Sequence, residues 1–104
     1  MNGKVREWLA REVLGEEDEA LIASLYEDYL ATLDREIAKV QPQMSARDFA
    51  GLDMTAHTLK GAAGAVGDEE MFEASLRLRD AAKAEDLSAA VLAAAEIASL
   101  RAAR

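Results

Sequence analysis

Residues 49–68 read FAGLDMTAHTLKGAAGAVGD, and this stretch decides the fold of the chain. Its apolar positions recur every three or four residues, which is the period of an α-helix with one buried face. The members of this stripe are Phe49, Leu52, Ala56, Leu59, Ala63 and Val66. We expect the helix to begin at Ser45, which has capping-box spacing to Asp48, and to end at Gly67.

Two helices are predicted before this stretch. The first is short, over about residues 4–14, and Gly15 ends it. The second runs over about residues 17–40, and Pro42 closes it, because proline lacks the N–H that a helix interior needs. Its positions at helical spacing are Ile22, Leu25, Tyr29, Leu33, Ile37 and Val40.

Two helices are predicted after the stretch, with Asp68 and Asp86 as their N-caps. The positions expected to face the core are Met71, Phe72, Ser75, Leu78 and Ala82 in the fourth helix and Leu87, Val91, Ala94 and Ala98 in the fifth, with Ile97 at its edge. Short connections make neighbouring helices antiparallel. We therefore predict a single all-α domain: an antiparallel up-down four-helix bundle over about residues 17–102, with an additional short N-terminal helix within residues 1–16.

Composition and charge disfavour several classes of function. The 104-residue chain has no cysteine, and its net charge of -8 argues against nucleic acid or an acidic membrane surface as a partner. No apolar run approaches the roughly 20 residues that span a membrane. One histidine and no cysteine leave too few ligands for a zinc or haem site. We expect a monomeric, cytoplasmic protein that binds no metal or cofactor of its own.

The chain's only histidine, His57, lies in the middle of the central stretch. Lys60, Gly61 and Gly64 follow it at +3, +4 and +7, so the four residues share one face of the helix. At about 100° per residue, His57 lies roughly 130° from the centre of the apolar stripe and points to solvent. Each glycine costs a helix interior about 1 kcal/mol relative to alanine, so their presence beside His57 needs a reason.

These residue types fit a histidine that accepts a phosphoryl group from another protein. A neutral imidazole is a nitrogen nucleophile, and Lys60 can offset the negative charge that arrives with the phosphoryl group. Gly61 and Gly64 clear space beside the ring for a partner's surface.

Residues 56–67 resemble the signature of histidine-containing phosphotransfer (HPt) domains of phosphorelays. The resemblance implies that His57 is the phosphoacceptor and that Lys60 stabilises charge beside it. Gly61 and Gly64 match the small positions around the ring. The central motif is the specific part of this resemblance, which extends more weakly over about residues 17–100.

The resemblance also implies a mechanism and partners. The phosphoryl group would pass reversibly between His57 and the phosphoaspartate of a response-regulator receiver domain, with a (hybrid) histidine kinase upstream. Mg²⁺ and most catalytic groups would belong to the receiver, and this chain would be a carrier with no ATP-dependent kinase site. The sequence departs from the family's usual pattern at Arg79 and Glu85, which we expect to affect surface charge and a helix end rather than transfer.

Alternative interpretations stay open for each of these residues. His57 alone is also compatible with a surface histidine without a role, and Lys60 with an ordinary surface lysine. Gly61 and Gly64 are also compatible with close helix packing or a dimer contact. Leu30 and Met54 are candidates for a receiver-docking patch, against simple packing. A second function, a helical binding module that docks or sequesters a receiver without transfer, also fits the sequence.

Overall fold

The computed structural model describes residues 3–8 and 19–104, and these residues form an all-α fold. The helices are α1 (Gly3–Trp8), α2 (Glu19–Ser45), α3 (Phe49–Ala65), α4 (Glu69–Lys83) and α5 (Leu87–Ala102). Helices α2 to α5 form a four-helix bundle in which α2 and α4 each contact α3 and α5, and α1 packs against α2. The predicted fold class is confirmed. The predicted end of the first helix, near Gly15, lies outside the described residues.

The core is built from the predicted faces of α2, α3 and α4. Its largest fully buried side chains in these helices are Ile22, Leu33, Leu52, Leu59, Met71 and Leu78. Burial of one such side chain stabilises the fold by about 1.5–3 kcal/mol. The buried side of α3 is therefore fixed by large residues, and its opposite side is left to solvent.

The predicted buried face of α5 is correct for Leu87 and Ala94, which are partly buried against the core, and wrong for Val91 and Ala98. Val91 is 49 % exposed and Ala98 is exposed, whereas Ala90, Ala93 and Ile97 are buried. Alanine occurs on every side of this helix, so the periodicity of small apolar residues does not identify the side that packs.

The second helix does not close at Pro42, as the sequence suggested, but continues to Ser45. Proline in a helix removes one N–H hydrogen bond. Two interactions just after the proline oppose this loss. The Met44 side chain is buried in the core, where it is 7 % exposed, and the Thr55 hydroxyl of α3 donates a hydrogen bond to the Gln43 side chain at 2.9 Å. Tertiary packing therefore extends α2 past its proline.

The three connections between the bundle helices share one construction. Each has three residues: the second has a positive φ, and the third is an aspartate that caps the next helix. The positive-φ residues are Arg47 (54°), Gly67 (70°) and Glu85 (51°), and the aspartates are Asp48, Asp68 and Asp86. Each aspartate N–H bonds at 2.9 Å to the carbonyl five residues earlier, which closes a Schellman turn.

These turns decide the boundaries of α3, α4 and α5. The side chain of each aspartate accepts the N–H three residues later, as an N-cap does. Asp68 and Asp86 are confirmed as N-caps, and Gly67 as the positive-φ residue of the turn that ends α3. The predicted capping box at Ser45 is wrong, because Ser45 belongs to α2 and Asp48 caps α3.

A buried ion pair fastens the end of α3 to α2 and to the segment after α5. Arg104 donates to Asp68 from Nε at 2.8 Å and from Nη2 at 2.7 Å, and both side chains are 3 % exposed. Tyr29 also donates to Asp68, at 2.7 Å. Burial alone would raise the pKa of Asp68, but the hydrogen bonds from Arg104, Tyr29 and the Met71 N–H outweigh it and hold that pKa below its ordinary value.

The same contacts act on the phenol of Tyr29. Burial, followed by donation to the Asp68 carboxylate, raises the pKa of Tyr29 above its ordinary range, so the phenol stays protonated as a donor. Tyr26 donates to the Arg104 carbonyl at 2.8 Å. The C-terminal end of α3, which carries the glycines, is therefore held in a fixed position.

Candidate functional site

The candidate site lies on the exposed side of α3, at the middle of the helix. His57, Gly61 and Gly64 are exposed, as the helical spacing predicted, whereas Lys60 is half-buried. Asp48 caps the start of α3 and the turn at Gly67 closes its end, so the helix presents these residues on a regular, fixed surface.

The two glycines differ in their surroundings. A Cβ atom added at Gly61 would meet no atom of another residue within 4 Å, outside its immediate helix backbone. A Cβ atom at Gly64 would lie 3.4 Å from the ring of Phe72 in α4, which is an ordinary contact distance. Neither glycine is therefore required by packing within the domain, although Gly64 lies against Phe72. The space that they leave is on the outer surface.

Lys60 leans towards α4. Its ammonium lies 5.8 Å from the centroid of the Phe72 ring, which is within the range of a cation–π contact. The sequence placed Phe72 among the core positions, but the structure shows a half-buried ring at the edge of the site. No pattern in the sequence separates this role from simple core packing.

A second cation approaches the same face from α4. The Nε of Arg79 donates to Asp53 Oδ1 at 3.1 Å, and the two side chains are 27 % and 31 % exposed. Asp53 lies one helical turn before His57 on α3. We expected Arg79 to affect surface charge rather than transfer, and the structure adds a contact between Arg79 and the helix that carries His57. Helical periodicity cannot find such a contact, because it relates residues within one helix only.

The predicted docking residues, Met54 and Leu30, do not have equal exposure. Met54 is 74 % exposed and lies three residues before His57 on the same helix. Leu30, on α2, is half-buried and packs against the core. An exposed apolar side chain beside His57 is therefore present at Met54, and a role for either residue in docking stays a prediction.

The geometry supports chemistry at one nucleophilic ring. Along the axis of α3, His57 lies between the Asp53–Arg79 pair, one turn before it, and Lys60, one turn after it, with bare helix surface at Gly61. Within residues 3–8 and 19–104, no group of three or more His, Cys, Asp or Glu residues is placed to hold a metal ion. In the same part of the chain, no helix is long and apolar enough to cross a membrane.

Comparison with known proteins gives one match. A family model described as "Hpt domain" matches residues 24–103, which include most of α2 and all of α3, α4 and α5. No curated protein and no solved structure matches the chain.

Proposed function

We propose that this chain, which belongs to the Hpt domain family, carries a phosphoryl group on His57 between receiver domains of a phosphorelay. The observation that carries the proposal is the exposed His57 on a helix face kept bare at Gly61, where the fold itself has no need of glycine. A carrier must admit the catalytic surface of another protein to its acceptor ring, and bare backbone beside the ring provides that access.

The transfer step needs only a neutral imidazole in this chain. A ring nitrogen attacks the phosphorus of a receiver's aspartyl phosphate; the N–P bond forms as the O–P bond breaks, and the carboxylate leaves with the bonding electron pair. The other ring nitrogen keeps its proton, so the product is a phosphorylated imidazolium. Lys60 offsets the charge of the transferred group. The reverse step hands the group to a second receiver.

The partners follow from the family. A receiver domain supplies Mg²⁺ and most catalytic groups, and a histidine kinase, hybrid or separate, lies upstream. We place the reaction in the cytoplasm and assign no kinase activity and no cofactor to this chain. We propose Met54, Gly61 and Gly64 of α3, together with Leu30 of α2, as the residues that dock the receiver.

Transfer from a receiver tests this function. The chain is incubated with receiver domains that carry ³²P-phosphoaspartate, and label is followed onto the wild type and onto His57→Gln. We expect acid-labile, base-stable label on the wild type alone. Wild-type chain that stays unlabelled by every receiver tested would refute the carrier function. Receiver binding that persists in His57→Ala without any transfer would indicate the non-transferring binding module instead.

A further inference from the structure

The ion pair between α3 and α4 is placed to respond to a charge on His57. Asp53 and His57 are four residues apart on α3, a spacing at which the Cβ atoms of two helical residues are about 5–6 Å apart. Arg79 reaches Asp53 from α4. On the helical wheel, Asp53, Lys60 and Gly64 all lie on the side of His57 that faces α4. The Lys60 ammonium is 5.8 Å from the centroid of the Phe72 ring of α4, and a Cβ atom added at Gly64 would lie 3.4 Å from that ring.

Arg79 is held less firmly than the other arginines that join elements of the bundle. In the described part of the chain, Arg77, Arg101 and Arg104 each donate from two nitrogens to one carboxylate. Arg79 donates to Asp53 from Nε alone. A guanidinium has five N–H donors, so the outer nitrogens of Arg79 are available to a second acceptor.

A phosphoryl group is a stronger partner for that guanidinium than one carboxylate. It carries a charge of up to about −2 near neutral pH and offers three acceptor oxygens. Guanidinium groups bind such oxygens in a bidentate manner, whereas a half-exposed ion pair held through one nitrogen is weak. A phosphoryl group on His57 would therefore compete with Asp53 for Arg79.

We propose that Arg79 is a second phosphoryl-binding cation of the site, which exchanges Asp53 for the phosphoryl oxygens when His57 is phosphorylated. Asp53 then has a defined role: it holds Arg79 in the unphosphorylated state, and its negative charge opposes the phosphorylated state. The Asp53–Arg79 pair thereby sets the stability of the phosphorylated state of His57. The inference rests on the proposed use of His57 as the phosphoacceptor.

The test uses phosphoramidate, a small phosphoryl donor, so that no receiver is needed. The ¹⁵N-labelled chain is phosphorylated on His57, and the Arg79 Nε–H resonance is compared before and after. ³¹P NMR then follows the titration of the phosphoryl group. We expect the Arg79 resonance to shift on phosphorylation. We expect the phosphoryl titration midpoint to rise by about half a pH unit, a threefold change in proton affinity, in Arg79→Gln and to fall by a similar amount in Asp53→Asn.

Arg77→Gln is the matched control, because it removes the same charge from the same helix but from the pair with Glu96 that joins α4 to α5. It should leave the midpoint unchanged. An Arg79 resonance that does not move, or equal effects of Arg77→Gln and Arg79→Gln, would overturn the inference. Failure of phosphoramidate to label His57, where free imidazole is labelled, would also count against it, because nearby cations should favour the phosphorylated ring.

The outcomes separate this inference from the proposed function. If the NMR shifts occur but no receiver exchanges phosphoryl groups with His57, the carrier function fails and the role of Arg79 stands. If receivers transfer to His57 and the Arg79 signals stay fixed, the carrier function stands and the role of Arg79 fails.

Discussion

Replacement of Arg104 by methionine should destabilise the domain by about 3 kcal/mol at pH 7. The Arg104 and Asp68 side chains are each 3 % exposed, and the variant leaves a buried carboxylate without its cation. Removal of one partner from a buried ion pair costs about 3–5 kcal/mol. The lower end applies, because Tyr29 and the Met71 N–H still donate to Asp68. For a domain of this size, the melting temperature should fall by about 12–24 °C.

The pH dependence of this loss gives a sharper test. In the wild type the folded-state pKa of Asp68 is lowered, so its contribution to stability is present above the ordinary value of 3.8 and is lost as pH falls through the lowered pKa. In Arg104→Met the desolvation of Asp68 dominates, and the folded-state pKa should lie above the unfolded value. The variant therefore gains stability from this group as pH falls, and its deficit should shrink between about pH 6 and pH 3.

Urea denaturation followed by circular dichroism, at several pH values, measures this difference. The exposed pair between Arg101 and Asp34 provides a control: Arg101→Met removes a fork of two hydrogen bonds from a site where Asp34 faces solvent. It should cost much less than Arg104→Met, because solvent screens this exposed pair. A deficit below 1 kcal/mol in Arg104→Met, or one that grows in acid, would refute our account of the buried pair.

Two further predictions concern backbone and surface. Glu85→Gly should stabilise the domain by about 1 kcal/mol in urea denaturation, because Glu85 has a φ of 51° that glycine adopts without strain. Gly67→Ala is the reverse change, at a glycine that lies beside Trp8, and it should destabilise the domain. Equal effects of the two variants on the free energy of unfolding would contradict this reasoning. Gly61→Glu should leave the free energy of unfolding unchanged or raised by up to about 1 kcal/mol, while it slows transfer from a phosphorylated receiver at least tenfold, on the order of 1.4 kcal/mol in the barrier. Gly61→Ala is its control, and transfer that survives the glutamate would show that the bare surface has no role in docking.

The sequence predicts α3 and its exposed face well because its large apolar residues lie on one side only. The same reasoning fails for α5, where alanines surround the helix and only the buried Ile97 marks the packed side. It also fails at Pro42, because the local cost of a proline is outweighed by the burial of Met44 and by the hydrogen bond from Thr55 to Gln43. Helical periodicity describes one helix at a time, so it predicts the buried face correctly where the large apolar residues of that helix lie on one side.

The candidate site divides in the same way. His57, Lys60, Gly61 and Gly64 lie within two turns of one helix, and their shared face follows from spacing alone. Arg79 joins them through a contact between helices, which no spacing within α3 can reveal. Asp68 was predicted as an N-cap and is one, but its burial with Arg104 depends on how the ends of α3 and α5 meet.

Under the proposed function, the position of His57 at the middle of α3 would also govern the lifetime of a stored signal. His57 is exposed in the described part of the chain, so water has access to a phosphorylated ring as a partner does. Enclosure must come from the partner during the encounter. Between encounters, the lifetime of the phosphorylated chain would depend on the intrinsic hydrolysis of the N–P bond and on the nearby charges. A relay that uses this chain would therefore retain a signal only if partners bind the phosphorylated chain faster than the N–P bond is hydrolysed.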